Sequence, residues 1–171
     1  MKPIIISIEG NIGSGKSSIL SYLKNKEFNE FGIKNLNIDN IVFIPEPVDE
    51  WKSIKDNNNE TILSKFYGNI SKYSFAFQMM AYISRLSIMH KYIKENTNCI
   101  LITERTLFTD KHVFCKMLYD SGLMEDVEYQ IYNKWFDEFN TIPIHSYIYI
   151  KTEPQICKNR IEKRKRPGEE N

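Results

Sequence analysis

A glycine-rich run near the N-terminus has the residue types and spacing of a phosphate-binding loop. Residues 10–17 read GNIGSGKS, which fits G-x-x-x-x-G-K-[S/T], and they lie between a predicted strand and a predicted helix. Glycines let backbone N–H groups turn toward an anion, and the N-terminus of the following helix adds a favourable dipole. Lys16 can reach the outer phosphates of a nucleoside triphosphate, and the Ser17 hydroxyl can ligate Mg²⁺. The residues predicted to bind the triphosphate here are Gly10, Asn11, Ile12, Gly13, Ser14, Gly15, Lys16, Ser17 and Ser18.

Charged side chains follow two further predicted strands. Glu46 comes after the run Ile41 to Ile44, and Glu104 and Arg105 come after Cys99 to Thr103. Ligands of open parallel sheets bind at the carboxyl ends of the strands, so these side chains are expected near the loop. Glu46 can accept the proton of an attacking hydroxyl, Glu104 can hold Mg²⁺, and Arg105 can stabilise charge on a transferring phosphoryl group. The alternatives are a solvated glutamate between two prolines and an exposed ion pair.

Short apolar runs that alternate with longer helical segments predict how these residues are positioned. The predicted strands are Ile4 to Ile8, Ile41 to Ile44, Cys99 to Thr103 and Tyr147 to Ile150. The predicted helices run from Lys16 to near Gly32, from about Ser71 to Asn96, from Leu107 to Asp120, from a cap at Asp126 toward Phe139, and onward from Thr152 and Pro154. The segment 52–60 is predicted to be a surface loop. This alternation predicts an α/β protein with a parallel sheet and crossover connections.

Motifs along most of the chain resemble those of the deoxynucleoside kinase family in their order and approximate spacing. They are GNIGSGKS at 10–17, EPVDEW at 46–51, Tyr67, FQMMAYISR at 77–85, ERTLFTD at 104–110 and RIEKRKRPGEE at 160–170. The resemblance implies a P-loop NTPase-type three-layer αβα fold with a central parallel sheet. It also implies one P-loop kinase domain over residues 1–171, with a lid at about 160–170. Because family members continue with a further helix, strand and adenine-contacting loop, we expect this C-terminal part to be missing.

The resemblance also implies ATP-dependent, Mg²⁺-assisted phosphorylation of the 5′-hydroxyl of a deoxynucleoside. Glu46 would be the general base, and Arg105 would contact the same hydroxyl. Lys16 would complete the catalytic set, and Ser17 and Glu104 would serve the metal. Arg160, Arg164 and Arg166 would close over the phosphates of ATP, and Glu170, or alternatively Glu169, would reach the sugar 3′-hydroxyl. A polybasic patch for nucleic acid or for nuclear import is the competing interpretation of the arginines.

Residues on two predicted helices are candidates for binding the nucleoside. By resemblance, Tyr67 would bind the 3′-hydroxyl, Gln78 would pair with the base, and Trp51, Phe77 and Phe114 would wall the pocket, with Ile12 and Val48 nearby. Gln78, Ala81, Tyr82 and Arg85 share one helix face by spacing, and so do Asp110 and Phe114. The alternative is the polar outer face of an amphipathic helix.

A small Ala81 together with Arg85 and Asp110 resembles the deoxycytidine and purine deoxynucleoside kinases. A carboxylate accepts hydrogen bonds only, so Asp110, held by Arg85, favours a base with an exocyclic amino group. Deoxycytidine or a purine deoxynucleoside is therefore expected over thymidine.

The bulk composition constrains partners and location. With 23 Lys and Arg against 22 Asp and Glu, the net charge of +1 does not favour a nucleic-acid-coating protein. The three cysteines, Cys99, Cys115 and Cys157, share no metal-binding spacing and are interpreted as reduced thiols. No transit, signal or membrane-spanning pattern is visible, so a cytoplasmic protein without a membrane partner is expected.

The family is typically dimeric through helices corresponding to the second and third predicted here, which implies a homodimer. A nucleoside monophosphate kinase, such as a thymidylate kinase, is a rival, although Glu46 would repel a phosphorylated acceptor. A catalytically silent, nucleotide-binding structural relative is the other rival.

Overall fold

The computed structural model describes residues 1–26, 30 and 40–164 of the chain. Four strands are β1 (Ile4–Glu9), β2 (Asn40–Ile44), β3 (Cys99–Glu104) and β4 (Ser146–Tyr149). The helices are α1 (Lys16–Lys24), α2 (Val48–Ser53), α3 (Ile62–Gly68), α4 (Ile70–Glu95), α5 (Leu107–Thr109), α6 (Lys116–Asp120), α7 (Asp126–Phe139) and α8 (Pro154–Arg164). A π-helical segment, Asp110–Cys115, joins α5 to α6. No helix within these described ranges is both long and apolar enough to span a membrane.

The strands form one parallel sheet in the order β2-β3-β1-β4. All six residues of β3 are buried, although successive side chains of a strand point to opposite faces. Both faces of the sheet are therefore covered at β3, which confirms the predicted α/β class and agrees with the three-layer arrangement. Strand β4 lies at an edge, and all four of its residues are exposed.

Two compact units can be distinguished in the chain. Unit 1 comprises Met1–Glu46, Ile88–Arg105 and Ile142–Arg164, and unit 2 includes Pro47–Ser87 and Thr106–Thr141. In unit 1, Leu20 of α1 is buried with Ile8, Ile100 and Ile102 of the sheet, and this packing fixes the helix that follows the glycine-rich loop. The single P-loop kinase domain expected over residues 1–171 stays a prediction.

The core of unit 2 contains much of the predicted base pocket. Trp51, Phe77 and Ala81 form its buried centre, and Val48, Ile62, Leu63, Phe66 and Met80 pack against them. A second aromatic group joins α4 to α7, because the ring of Tyr82 lies 5.8 Å from that of Tyr132 and 6.2 Å from that of Phe136.

The helix boundaries correct two predictions. Helix α1 ends at Lys24, not near Gly32, because the N–H groups of Asn25 and Lys26 donate to the carbonyls of Tyr22 and Leu23. These i to i−3 bonds tighten and close the last turn.

Helix α7 begins at Asp126, but its cap is Glu125 and not Asp126. The Glu125 N–H donates to Glu128 Oε2 at 2.9 Å, as in a capping box. The Asp126 carboxylate instead accepts hydrogen bonds from Gln130 and from the hydroxyl of Tyr119.

Other differences concern elements that the sequence pattern did not predict. Helices α2 and α3 were not predicted, and the helix expected without interruption over 107–120 contains the π-helical segment. The loop predicted at 52–60 begins after α2, at Ile54, and a bridge between Lys55 and Thr61 closes it. Both ends of the long helix α4 and of each strand agree with the prediction to within one residue.

Candidate active site

Three glycines give the loop between β1 and α1 its shape. Gly10, Gly13 and Gly15 have φ angles of 148°, 77° and 103°, in the region that side-chain-bearing residues rarely adopt. At Gly13 a Cβ atom would lie only 2.5 Å from the Cys157 carbonyl oxygen. Helix α1 begins directly after Gly15, so its first N–H groups lie at the end of the loop, as an anion site requires.

Lys16 is buried inside this loop, with 3% of its surface exposed. Its Nζ donates to the carbonyls of Gly10 at 3.0 Å and Asn11 at 2.8 Å, and it lies 3.9 Å from Glu104 Oε1. Burial, and then the nearby Arg105, lower the pKa of Lys16 to about 8. A desolvated ammonium gains from an anionic partner, so a phosphate beside Lys16 would favour its charged form.

Ser17 and Glu104 supply oxygen atoms on the same side of the site. The Ser17 hydroxyl donates to Glu104 Oε2 at 2.9 Å. Within the described ranges, no group of three or more His, Cys, Asp or Glu residues could hold a metal ion. Mg²⁺ bound with nucleotides typically takes one or two protein oxygens beside phosphates and water, so this pair fits it.

Arg105 brings the two glutamates together. Its Nη1 lies 3.4 Å from Glu46 Oε1 and 3.9 Å from Glu104 Oε1. Its backbone φ of 63° is unusual for a residue with a side chain. The Arg105 N–H donates to the Ile8 carbonyl at 3.1 Å, and its own carbonyl accepts from Thr103 Oγ1 at 3.2 Å. The ends of β1 and β3 therefore hold the strained residue in place.

An ion pair in unit 2 joins α4 to the π-helical segment. Arg85 Nε donates to Asp110 Oδ2 at 2.8 Å, and the two side chains are only 3% and 5% exposed. A buried charge needs such a partner, because the desolvation of an isolated one is costly. The Arg85–Asp110 pair expected from the family resemblance is thus present, with the Asp110 carboxylate oriented by the guanidinium.

A group of aromatic side chains lies in the same unit. The rings of Trp51 and Phe77 meet edge to face at 5.4 Å, and Phe66 stacks on Phe77 at 4.6 Å. Trp51 Nε1 donates to Ser84 Oγ at 2.9 Å, which fixes the orientation of the indole ring. Sequence reasoning missed Phe66 and Ser84. The sequence gives little indication of either residue. Phe66 is an ordinary apolar residue of a helix, and the hydrogen-bond partner of Ser84 is distant in the sequence.

The remaining predicted residues are distributed as follows. Gln78 and Ala81 are buried in α4, and Tyr67, Val48 and Phe114 are half-buried, all in unit 2. Ile12 is half-buried in the loop of unit 1, and Ser18 is exposed at the start of α1. Arg166, Glu169 and Glu170, and with them most of the predicted lid, lie outside the described residues.

Two of the arginines predicted to belong to the lid are among the described residues, and both are on α8. Arg160 and Arg164 are both exposed. Arg160 Nη1 donates to the carbonyls of Ser14 at 3.0 Å and Gly13 at 3.2 Å, so it contacts the backbone of the phosphate loop.

The parallel sheet and the glycine-rich loop between β1 and α1 are the features of the P-loop NTPase fold class. The deoxynucleoside kinase family model matches residues 6–171. The chain therefore belongs to the deoxynucleoside kinase family. This match does not favour the alternative of a thymidylate kinase.

Individual relatives agree with the family match. The chain is 36% identical to a probable deoxycytidine kinase of Fowlpox virus (strain NVSL) and 31% identical to deoxycytidine kinase 1 of Xenopus laevis, over 96% of its own length in each case. It is also 26% identical to the human mitochondrial thymidine kinase 2, over 98% of its length. The chain spans 63%, 66% and 58% of the lengths of these three proteins.

Proposed function

We propose that this protein is an ATP-dependent deoxynucleoside kinase that transfers the γ-phosphate to the 5′-hydroxyl of a deoxynucleoside. The observation that carries the proposal is the group around Arg105. Its guanidinium lies near the carboxylates of Glu46 and Glu104, and Glu104 lies beside Lys16 and Ser17 of a phosphate loop. Phosphoryl transfer to a hydroxyl requires a carboxylate base next to the loop that holds the phosphates. The relatives named as kinases support the same proposal.

Each residue of this group has a distinct role in the proposed reaction. The loop N–H groups and Lys16 hold the phosphates of ATP, and Glu46 accepts the proton of the 5′-hydroxyl as it attacks. Arg105 orients Glu46 and stabilises the negative charge that develops on the transferred group. Ser17 and Glu104 would hold Mg²⁺, which would neutralise charge at the phosphates.

We further propose that the residues of unit 2 recognise the base and sugar. Asp110, oriented by Arg85, accepts a hydrogen bond from an exocyclic amino group, which thymine lacks. Gln78 pairs with the base, Trp51, Phe77 and Phe114 wall it with Val48 and Ala81 adjacent, and Tyr67 binds the 3′-hydroxyl. Deoxycytidine or a purine deoxynucleoside is therefore the proposed acceptor. The relatives include both deoxycytidine kinases and a thymidine kinase, so the preference rests on Arg85 and Asp110.

A homodimer is the proposed assembly. Four exposed apolar residues repeat every four positions along α7, namely Val127, Ile131, Trp135 and Phe139. Exposed Ile83 on α4, and Val113 and Met117 along the segment 107–120, add apolar surface on the two helices expected to pair. Exposed apolar side chains grouped on a helix face favour association with a protein partner. The cytoplasmic location expected from the sequence stays a prediction.

The test of activity is phosphoryl transfer from γ-labelled ATP and Mg²⁺ to each of the four deoxynucleosides and to thymidylate. We expect label on a deoxynucleoside, and a loss of kcat of about 10²- to 10⁴-fold in Glu46→Gln, because the variant lacks the proton acceptor. Glu50→Gln is the matched control, since Glu50 is an exposed carboxylate a few residues further along.

Two results would contradict the proposal. Label on thymidylate alone would make the protein a monophosphate kinase, and nucleotide binding without any transfer would make it a silent relative. The base preference has its own test in Asp110→Asn, which keeps the shape but adds a donor. We expect its kcat/KM ratio for deoxycytidine over thymidine to fall at least about tenfold, and an unchanged ratio would exclude Asp110 as the discriminating group.

A further inference from the structure

The outward side of the phosphate loop is bound by residues that follow β4. The Ser14 carbonyl accepts two hydrogen bonds, from Thr152 Oγ1 at 3.0 Å and from Arg160 Nη1 at 3.0 Å. The Gly13 carbonyl accepts a further one from Arg160 Nη1 at 3.2 Å. One guanidinium nitrogen thus contacts two successive carbonyls of the loop.

Backbone packing reinforces these bonds. A Cβ atom at Gly13 would lie 2.5 Å from the Cys157 carbonyl oxygen, and one at Gly10 would lie 2.8 Å from the Ile150 carbonyl oxygen. Cys157 is itself buried in the first half of α8. The segment 150–160 therefore contacts the loop at several points, and the Arg160 contact belongs to a packed surface of the same unit.

The consequence for anion binding follows from the planarity of the peptide bond. In a trans peptide the C=O of one residue and the N–H of the next point in opposite directions. Holding the Ser14 carbonyl outward therefore directs the Gly15 N–H inward, toward the place where the loop binds an anion. A guanidinium behind the loop also adds positive potential to that place.

We propose that Arg160 is a positioning residue of the phosphate loop, which with Thr152 fixes the orientation of the Ser14–Gly15 peptide. This inference rests on the proposed function, because it takes the phosphates of ATP as the anion. It differs from the direct contact with ATP phosphates that the family resemblance implies for Arg160. A positioning residue acts before any nucleotide binds, and it affects ADP and ATP alike.

The experiment compares Arg160→Gln and Thr152→Val in the full chain, with Lys158→Gln as the control. Lys158 carries the same charge on the same helix and is mostly exposed. Triple-resonance NMR of the nucleotide-free protein measures the carbonyl ¹³C shifts of Gly13 and Ser14 and the amide shift of Gly15. Calorimetric titration measures Kd for MgADP and MgATP.

We expect both variants to shift the Ser14 carbonyl and Gly15 amide signals, and only Arg160→Gln to shift the Gly13 carbonyl. Each should raise Kd for MgADP and MgATP equally, by about 3- to 10-fold. In the double variant, Kd should rise by less than the product of the two single-variant increases, because both donors bind the same Ser14 carbonyl. Lys158→Gln should leave the signals and affinities unchanged.

Two outcomes would overturn the proposal. If Arg160→Gln leaves the loop signals in place and weakens MgATP but not MgADP, Arg160 contacts the γ-phosphate and does not position the loop. If the signals move and neither affinity changes, the contact is structural without consequence for binding. Thr152→Val nearly preserves shape, so it keeps the test valid should Arg160→Gln fold poorly. Because no readout requires turnover, absence of kinase activity would contradict the proposed function and leave this inference standing.

Discussion

At Arg105, an unfavourable backbone conformation coincides with contacts to two carboxylates. A left-handed φ costs a residue with a side chain about 1–2 kcal/mol, and such strain persists where surrounding bonds impose it. Here the hydrogen bonds to Ile8 and from Thr103 impose it, and the guanidinium then lies near Glu46 and Glu104. The strain is stored at the place where the proposed chemistry occurs.

Replacing Arg105 by lysine tests whether the site requires the planar guanidinium group. Arg105→Lys keeps the charge but loses the geometry that faces two carboxylates, so kcat should fall about 10²-fold, with Kd for MgADP within about twofold of wild type. Steady-state kinetics and calorimetry measure the two quantities. A kcat near that of the wild type would show that charge alone is sufficient at this position.

Ser84 illustrates a residue that acts through another side chain. Its hydroxyl accepts from the Trp51 indole at 2.9 Å and donates to the Met80 carbonyl at 2.7 Å. Both Trp51 and Ser84 are buried, so the bond is shielded from water. The serine therefore fixes the ring that is proposed to wall the base.

Ser84→Ala should leave the Trp51 N–H unsatisfied, which costs about 1–3 kcal/mol of the free energy of unfolding. The KM for the deoxynucleoside should rise several-fold with kcat unchanged. In a Trp135→Phe background only Trp51 contributes tryptophan emission, so its spectrum should shift on substitution. Ser84→Thr retains the hydroxyl and should restore KM and emission. Unchanged KM and emission in Ser84→Ala would contradict the positioning role.

Among the elements, the loop between β1 and α1 depends most on backbone conformation. Gly13 combines a φ of 77° with contact against the backbone of α8. Gly68, the last residue of α3, has a φ outside the positive range, and a Cβ atom placed there would have no atom of the described residues within 4 Å. The backbone at Gly13 therefore requires glycine, whereas the backbone at Gly68 does not.

Gly13→Ala should abolish MgADP binding and lower the free energy of unfolding by more than about 1–2 kcal/mol, because the Cβ adds a steric clash to an unfavourable φ. Gly68→Ala should bind MgADP normally and gain up to about 1 kcal/mol of stability. Calorimetry and chemical denaturation check both variants. Normal nucleotide binding by Gly13→Ala would mean that the loop does not require this backbone.

For the whole molecule, the exposed apolar row on α7 bears on assembly. Val127, Ile131, Trp135 and Phe139 lie on one face of the helix because they are spaced four residues apart. Their large side chains gain free energy when another surface removes them from water. A second copy of this chain is the proposed partner.

Light scattering should give the wild type about twice the chain mass of 20.3 kDa. Ile131→Asp should return it to the mass of one chain, because a carboxylate in a dry interface is strongly unfavourable. Lys134→Asp, at an exposed polar position of the same helix, is the control and should stay dimeric. A wild type that is monomeric at all concentrations, or an Ile131→Asp variant that stays dimeric, would reject the α7 surface as the dimer contact.

Features that depend on local chemistry could be predicted from the sequence. The P-loop spacing from Gly10 to Ser17, the apolar runs of the four strands and the end of the third predicted helix at Asp120 all follow from steric and periodic rules within a few residues. The order of motifs was sufficient for the family. The Arg85–Asp110 pair could also be predicted from the sequence, because helix-face spacing and the family resemblance agreed.

Contacts between residues far apart in the chain could not be predicted from the sequence. Arg160 on the loop carbonyls, Ser84 on Trp51 and the strained Arg105 between two glutamates depend on which elements pack together, and no local pattern encodes that. The end of α1 and the cap of α7 were missed for a related reason. Backbone N–H groups of Asn25 and Lys26 close α1, and at α7 more than one acidic side chain could serve as the cap. In both places small differences in packing and hydrogen bonding select the boundary.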